Sequence, residues 1–211
     1  MPLTVHVAPH PLLDAGAFVA RFVQPIVGTQ LARPASAPFS TSEEIKTAVR
    51  ALLRHGGFKP SGRSKPASEY LVAAAAEGRF PTINAGVDAC NIASLHAGLP
   101  ISLVDVDKLD GELSIRIAPD GTSYVFNPSG QTIDVSGLVC LYDAQGPTGT
   151  PVKDAQRTKT HDGTTAALSI VWGTTALPGR TAEVTRWYRE LVASIPGATI
   201  EDVALAPASR R

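Results

Sequence analysis

The segment 80–113 constrains the fold most, because it carries a helix, a loop and the start of a strand in direct succession. Its helical part, about residues 86–97, is apolar except for two polar side chains, Asp88 and Asn91. These two lie one helical turn apart and share a face. If they are buried, they need hydrogen-bond partners. They either tie the helix to the loop that follows, through Lys108 or backbone N–H groups, or line a small-molecule pocket.

The hydrophobic period changes from helical to two after residue 111, which predicts helices first and strands afterwards. Helix patterns cover residues 12–23 (weakly), 67–77, 86–97 and 181–194, with a further helix between a capping box at 40–44 and Gly56. Strand patterns cover residues 3–7, 113–117, 124–126, 132–135, 138–142 and 167–172. Mostly antiparallel strands that follow helices and precede a closing helix predict an α+β fold.

The composition is that of one globular domain spanning residues 1–211, with 44% apolar and 18% charged residues. The stretch 28–40 is predicted to be a linker or exposed loop, 144–165 a long polar loop of the kind that carries function, and the tail from residue 204 frayed. The N-terminus lacks the features of a signal peptide, and no apolar run is long enough to span a membrane, so we expect a cytoplasmic protein. Nothing in the sequence indicates an oligomeric state.

The charges balance, with 19 basic and 19 acidic residues. This argues against an autonomous, high-affinity nucleic-acid binder but allows a local basic patch. Two loops supply such a patch if the fold joins them, and otherwise carry ordinary solvated charge; their basic residues are Lys59, Arg63, Lys65, Lys153, Arg157 and Lys159.

Several chemistries find little support. Both common phosphate-binding glycine motifs are absent, so no nucleotide cofactor is expected. The acids at 105, 107 and 110 do not have EF-hand spacing, and we expect no metal. Cys90 and Cys140 lie in apolar segments and are expected to be buried, reduced thiols. No G-x-S-x-G elbow frames a serine. His161, in the long loop, is the histidine to consider for an unrelated hydrolase.

Three ordered segments carry a family resemblance: VRALLRHGGFKPSGRSKPASEYL, FPTINAGVDACNIASLHAGLPISLVDVDKLDGELSIRIA and QRTKTHDGTTAALSIVW. Together they resemble the B3/B4 domain of the bacterial phenylalanyl-tRNA synthetase β subunit, and more closely its free-standing relatives. The resemblance covers residues 45–173. The flanks, a strand, helix and linker at 1–40 and a helix and tail at 175–211, match in general character.

The resemblance implies a three-layer domain with a β-sandwich of unusual topology flanked by helices, a fold shared with a domain of tRNA-lysidine synthetase. In the synthetase this domain hydrolyses wrongly charged tyrosyl-tRNA. It therefore implies a free-standing domain that binds the tRNA acceptor end and edits mischarged aminoacyl-tRNA in trans. The alternative is a non-catalytic module that binds RNA or a small molecule and has kept the fold but lost the chemistry.

The resemblance also assigns site residues. Where synthetase editing domains carry a histidine, this chain has Ser102; their glycine-rich segment and late-strand acid have no counterpart here. The water for hydrolysis would then be placed by Ser102, by Thr158 or by the terminal ribose hydroxyl. The predicted pocket residues are Asn84, Asp88, Asn91 and Lys108, and the predicted tRNA contacts are Lys65, Arg157 and Lys159.

Overall fold

The computed structural model describes residues 2–26, 31, 34 and 36–208. Its strands are β1 Leu3–Val7, β2 Leu13–Phe22, β3 Ile101–Asp105, β4 Leu113–Ile117, β5 Ser123–Val125, β6 Thr132–Asp134, β7 Val139–Asp143, β8 Gly146–Gly149, β9 Ala166–Thr174 and β10 Ala198–Pro207. Its helices are α1 Glu43–Arg54, α2 Ala67–Ala76, α3 Ala85–Ala97 and α4 Arg180–Ala193. Short 3₁₀ turns lie at Gly62–Ser64, Val106–Lys108 and Gln156–Thr158.

The large sheet has eight strands in the order β3-β9-β2-β10-β1-β4-β7-β8. Neighbouring strands are antiparallel except that β1 runs parallel to both β10 and β4. The two edges come together, since the Ser102 hydroxyl on β3 donates to the carbonyl of Thr150 just after β8 at 3.1 Å. The sheet is thus a nearly closed barrel. The α+β class and the mostly antiparallel pairing are confirmed, while the three-layer sandwich stays a prediction.

Alternation along β9 separates two hydrophobic clusters. Leu168, Ile170 and Trp172 belong to one cluster, together with apolar residues of β1, β3, β4 and β7. Ala167 and Val171 point the other way, into the cluster that the helices cover. One cluster therefore fills the barrel, and the other packs the helices onto its outside.

Strands β3 and β8 lie in segments that were predicted to be loops, and two further elements differ from the sequence prediction. Residues 12–23, predicted to be helical, form strand β2, which pairs with β9 on one side and β10 on the other. Gly16 in this strand lies against α4, where an added Cβ would be 2.1 Å from the Thr185 hydroxyl. Residues 204–207, predicted to be frayed, complete β10 and pair with β1. Both strands depend on partners far along the chain, which a local pattern does not reveal.

The other predicted helices and strands are present with small shifts in their bounds. The predicted long loop 144–165 contains β8 and the turn Gln156–Thr158. Part of the predicted linker 28–40 and the last tail residues lie outside the described residues.

Cys90 and Cys140 are free and buried, and burial raises the pKa of the Cys90 thiol to about 12. In the part of the chain that the structure describes, no helix has both the length and the apolarity to cross a membrane.

Candidate functional site

A cleft of about 1150 Å³ lies between α1, α2, α3 and the loop around Lys153. Its deeper lining is apolar and comes from all of these elements: Ile45, Val49, Leu71, Val87 and Val152. Its rim carries large apolar side chains that are exposed, with Tyr70 64%, Ile83 61% and Val72 37% accessible. The cleft therefore combines an apolar floor with an apolar rim.

Besides Lys46, four cations line the same cleft: Arg63, Lys65, Lys153 and Lys159. Among the described residues, none of the four is in an ion pair. Both acids of the lining already have ion-pair partners, because Glu43 contacts Lys46 at 3.1 Å and Glu69 is held by Arg50 at 2.6 Å. The cleft therefore presents uncompensated positive charge on a protein whose net charge is zero.

Three of these cations influence one another. The pKa of Lys153 is lowered by burial and then by the positive charges of Arg63 and Lys159. Burial also lowers the pKa of Lys159, although the nearby Asp154 raises it. Phe126 holds both amines: its ring lies 3.9 Å from Lys153 Nζ, and its carbonyl accepts from Lys159 Nζ. Like charges confined in this way favour a bound anion.

Backbone contacts explain why the two basic loops meet. The N–H of Ala67, at the start of α2, donates to the carbonyl of Pro151 at 2.9 Å. This bond places Lys65 beside the loop that carries Lys153. The loop is fixed to β3 by Asp154, whose carboxylate accepts from the N–H groups of Thr150 and Leu103, each at 3.1 Å. The two basic loops therefore meet, which is one of the two alternatives that the sequence left open, although neither Lys59 nor Arg157 lines the cleft.

Burial raises the pKa of Asp154 to about 6. Because this folded-state pKa lies above that of an unfolded aspartate, about 3.9, its contribution to stability is present at low pH and is lost as pH rises through about 6. We expect the free energy of unfolding of Asp154→Asn, minus that of the wild type, to increase by about 2–3 kcal/mol from pH 4 to pH 7. Urea unfolding at a series of pH values measures this difference.

Asp134→Asn is the matched control. Hydrogen bonds from Ser136 lower the pKa of Asp134, so its difference should change in the opposite direction over acid pH. If the difference in free energy of unfolding between Asp154→Asn and the wild type does not vary with pH, the raised pKa of Asp154 is contradicted.

Three of the nine predicted site residues line the cleft: Asn91, Lys65 and Lys159. Asn84 instead caps α3, accepting from the N–H of Val87 at 3.0 Å. Asp88 is buried and accepts from the N–H of Ile83 at 2.8 Å. Asp88 therefore ties its helix to the chain before it, and not to the loop after it.

Lys108 does not reach Asp88, because its amine donates to the carbonyl of Lys159 at 2.9 Å. This bond holds the loop that carries Lys153 and Lys159 at Lys159, before strand β9 begins. Lys108 is thus a positioning residue for that loop and lies outside the cleft lining.

The remaining three predicted residues have structural partners. Ser102 is fully buried, and its hydroxyl accepts from Trp172 Nε1 at 2.9 Å. Thr158 is also fully buried, with its hydroxyl directed at the carbonyls of Thr148 and Ala155. Neither hydroxyl lines the cleft, so we do not propose a catalytic role for them.

Arg157 makes a bidentate ion pair with Asp143, at 2.6 and 2.8 Å, and a further bond to the carbonyl of Gly146 at 3.0 Å. The Asp143 carboxylate is fully buried. Its pKa is lowered: burial acts to raise it, but Arg157 and two backbone N–H groups outweigh burial. Arg157 therefore satisfies a buried charge and is not among the cleft cations.

His161 contacts Asp105 through Nε2 at 3.2 Å, and its Nδ1 accepts from the N–H of Gly163 at 3.0 Å. With both ring nitrogens engaged and the ring outside the cleft lining, the side chain is not placed to act as a base there. Within the described residues, no three His, Cys, Asp or Glu side chains are grouped so that they could hold a metal ion.

Sequence reasoning missed the exposed rim. Tyr70 belongs to an alanine-rich helix, and an aromatic residue there is equally compatible with a buried face. Its position beside the basic turn Gly62–Ser64 was the available signal.

Comparison with models of protein families identifies a match. The model of a family described as the B3/4 domain matches residues 61–177, more than half of the chain. The matched range includes the four cleft cations, Tyr70 and Asn91. No curated protein matches this chain.

Proposed function

The chain belongs to the B3/4 domain family, and from this premise we propose that it binds the aminoacylated 3′ end of tRNA in the cleft and hydrolyses mischarged aminoacyl-tRNA in trans. The observation that carries the proposal is the row of four cations without ion-pair partners beside an apolar floor. The phosphates would lie on the cations and the aminoacyl group on the floor. The resemblance to the editing domain of phenylalanyl-tRNA synthetase supplies the reaction class.

The dimensions of the cleft support such a ligand. Small-molecule pockets usually hold about 300–1000 Å³, and this cleft, at about 1150 Å³, is larger. It would take a terminal nucleotide together with its aminoacyl group. Because the net charge of the whole chain, including this patch, is zero, we expect binding to be modest in affinity and sensitive to salt.

Hydrolysis in this cleft would depend on the positioning of the water and the ester more than on a strong general base. The described lining contains neither histidine nor cysteine, and Glu69 is held by Arg50. An aminoacyl ester is activated, so an oriented water and a donor to the developing oxyanion are sufficient in principle. The Asn91 amide lines the cleft and is the donor that we propose, with the terminal ribose hydroxyl assisting the water.

The second candidate is a binding module without catalysis. The same lining favours it, because the described cleft holds no histidine or cysteine and the Ser102 hydroxyl is buried in the barrel. Such a module would hold the RNA end and leave the ester intact.

Incubation with a non-cognate tRNA that has been mischarged with tyrosine separates the two candidates. The editing proposal expects release of the amino acid faster than in buffer, and a loss of about 10²-fold in rate for Asn91→Ala with little change in RNA affinity. Gln131→Ala, an exposed amide outside the cleft lining, is the control. Binding without release supports the module, and absence of both binding and release overturns both candidates.

A further inference from the structure

The rim of the cleft has a feature that phosphate binding does not require. Tyr70 and Ile83 are among the most exposed large apolar side chains of the described residues, and both lie on this rim. Exposure of this extent on two neighbouring elements leaves apolar surface in water, which a ligand with flat apolar faces would cover.

The chain places Tyr70 close to the cations. Tyr70 is in the first turn of α2, where its N–H donates to the carbonyl of Pro66, directly after Lys65. The same end of the helix is bonded to Pro151, two residues before Lys153. An aromatic ring and at least two cations therefore stand on one side of the cleft.

We propose that Tyr70, supported by Ile83, is a stacking platform that selects unpaired nucleotides at the 3′ end of the RNA. This inference rests on the proposed function and adds which side chain recognises the bases of the RNA end. Unpaired bases expose their faces and stack on aromatic side chains, whereas the bases of a helix are already stacked on one another. Cations beside an aromatic ring are the combination that recognises single-stranded RNA.

The consequence is a specificity based on strand state. A paired stem would offer phosphates to Arg63, Lys65 and Lys153 but no free base to Tyr70. An unpaired end offers both, so it should bind more tightly than a blunt stem of the same sequence.

The test compares one RNA hairpin carrying a short unpaired 3′ extension with the same hairpin ending bluntly, by fluorescence anisotropy. We expect Tyr70→Ala to weaken binding of the extended hairpin about 5- to 150-fold, the effect of one lost base–aromatic stack, and to leave the blunt hairpin unchanged. Tyr70→Phe should retain tight binding. Val23→Ala, 78% exposed and outside the cleft lining, is the surface control.

The outcomes distinguish failure of the stacking role of Tyr70 from failure of the proposed function. If the wild type binds the extended hairpin no better than the blunt one, or if Tyr70→Ala binds it as the wild type does, the stacking role is overturned while RNA binding stands. If neither hairpin binds the wild type, the proposed function itself fails. A circular dichroism spectrum equal to that of the wild type shows that Tyr70→Ala is folded.

Discussion

Arg157→Ala is expected to lower the free energy of unfolding by about 3–5 kcal/mol, the usual effect of removing one partner of a buried ion pair. The carboxylate of Asp143 is fully buried and would lose two charged hydrogen bonds, whereas the Arg157 side chain itself is 31% exposed. The backbone N–H groups of Asp110 and Gln145 would remain as its donors but carry no full charge. Urea unfolding at neutral pH measures the loss.

Lys65→Ala is the matched control, because Lys65 is an exposed cation without an ion pair among the described residues. Its effect on stability should stay within about 0.5 kcal/mol. Arg157→Lys keeps the charge but not the two-pronged geometry, so it should fall between the wild type and Arg157→Ala. A stable Arg157→Ala protein that binds RNA poorly would contradict this assignment and restore Arg157 as an RNA contact.

Arg157 illustrates which part of a site can be read from sequence. The sequence analysis groups Arg157 with Lys153 and Lys159 in one basic loop, but the three cations have different environments. Lys153 and Lys159 meet Phe126 and line the cleft, while Arg157 meets Asp143 on a neighbouring strand. Composition gives no indication of this difference, because it depends on which residues the fold places next to each cation.

The secondary structure also contains elements that can be predicted from the local sequence and elements that cannot. Helices α1, α2, α3 and α4 are indicated locally by their apolar residues. Their caps were not identified, because α1 is capped by Ser42 and not by Ser40 or Thr41, and the cap Asn84 of α3 was predicted to line a pocket. Strands β2 and β10 are not indicated locally, because what stabilises them is pairing with each other and with strands far along the chain. The same applies to Ser102, whose burial follows from closure of the barrel rather than from its neighbours in sequence.

The combined substitution of Arg63, Lys65 and Lys153 by alanine should have the largest effect on RNA binding. Each cation that contacts a phosphate of a single strand contributes about 0.7 to the slope of log affinity against log salt, so the slope should fall by about 2. At low salt we expect a loss of affinity of about 10²-fold or more, since single charged hydrogen bonds contribute about 1.5–3 kcal/mol. Lys159 is left in place because its amine is bonded to the carbonyl of Phe126.

A second triple variant removes the same charge elsewhere: Arg54, Arg116 and Arg186 are exposed cations outside the cleft lining. If the cleft is the RNA site, this variant should keep most of the affinity and most of the salt slope, since exposed charges at a distance are largely screened. Titrations over a range of salt concentrations give both quantities for both proteins. Equal losses in the two variants would mean that net charge, and not the cleft, controls binding, and the proposed site would be wrong.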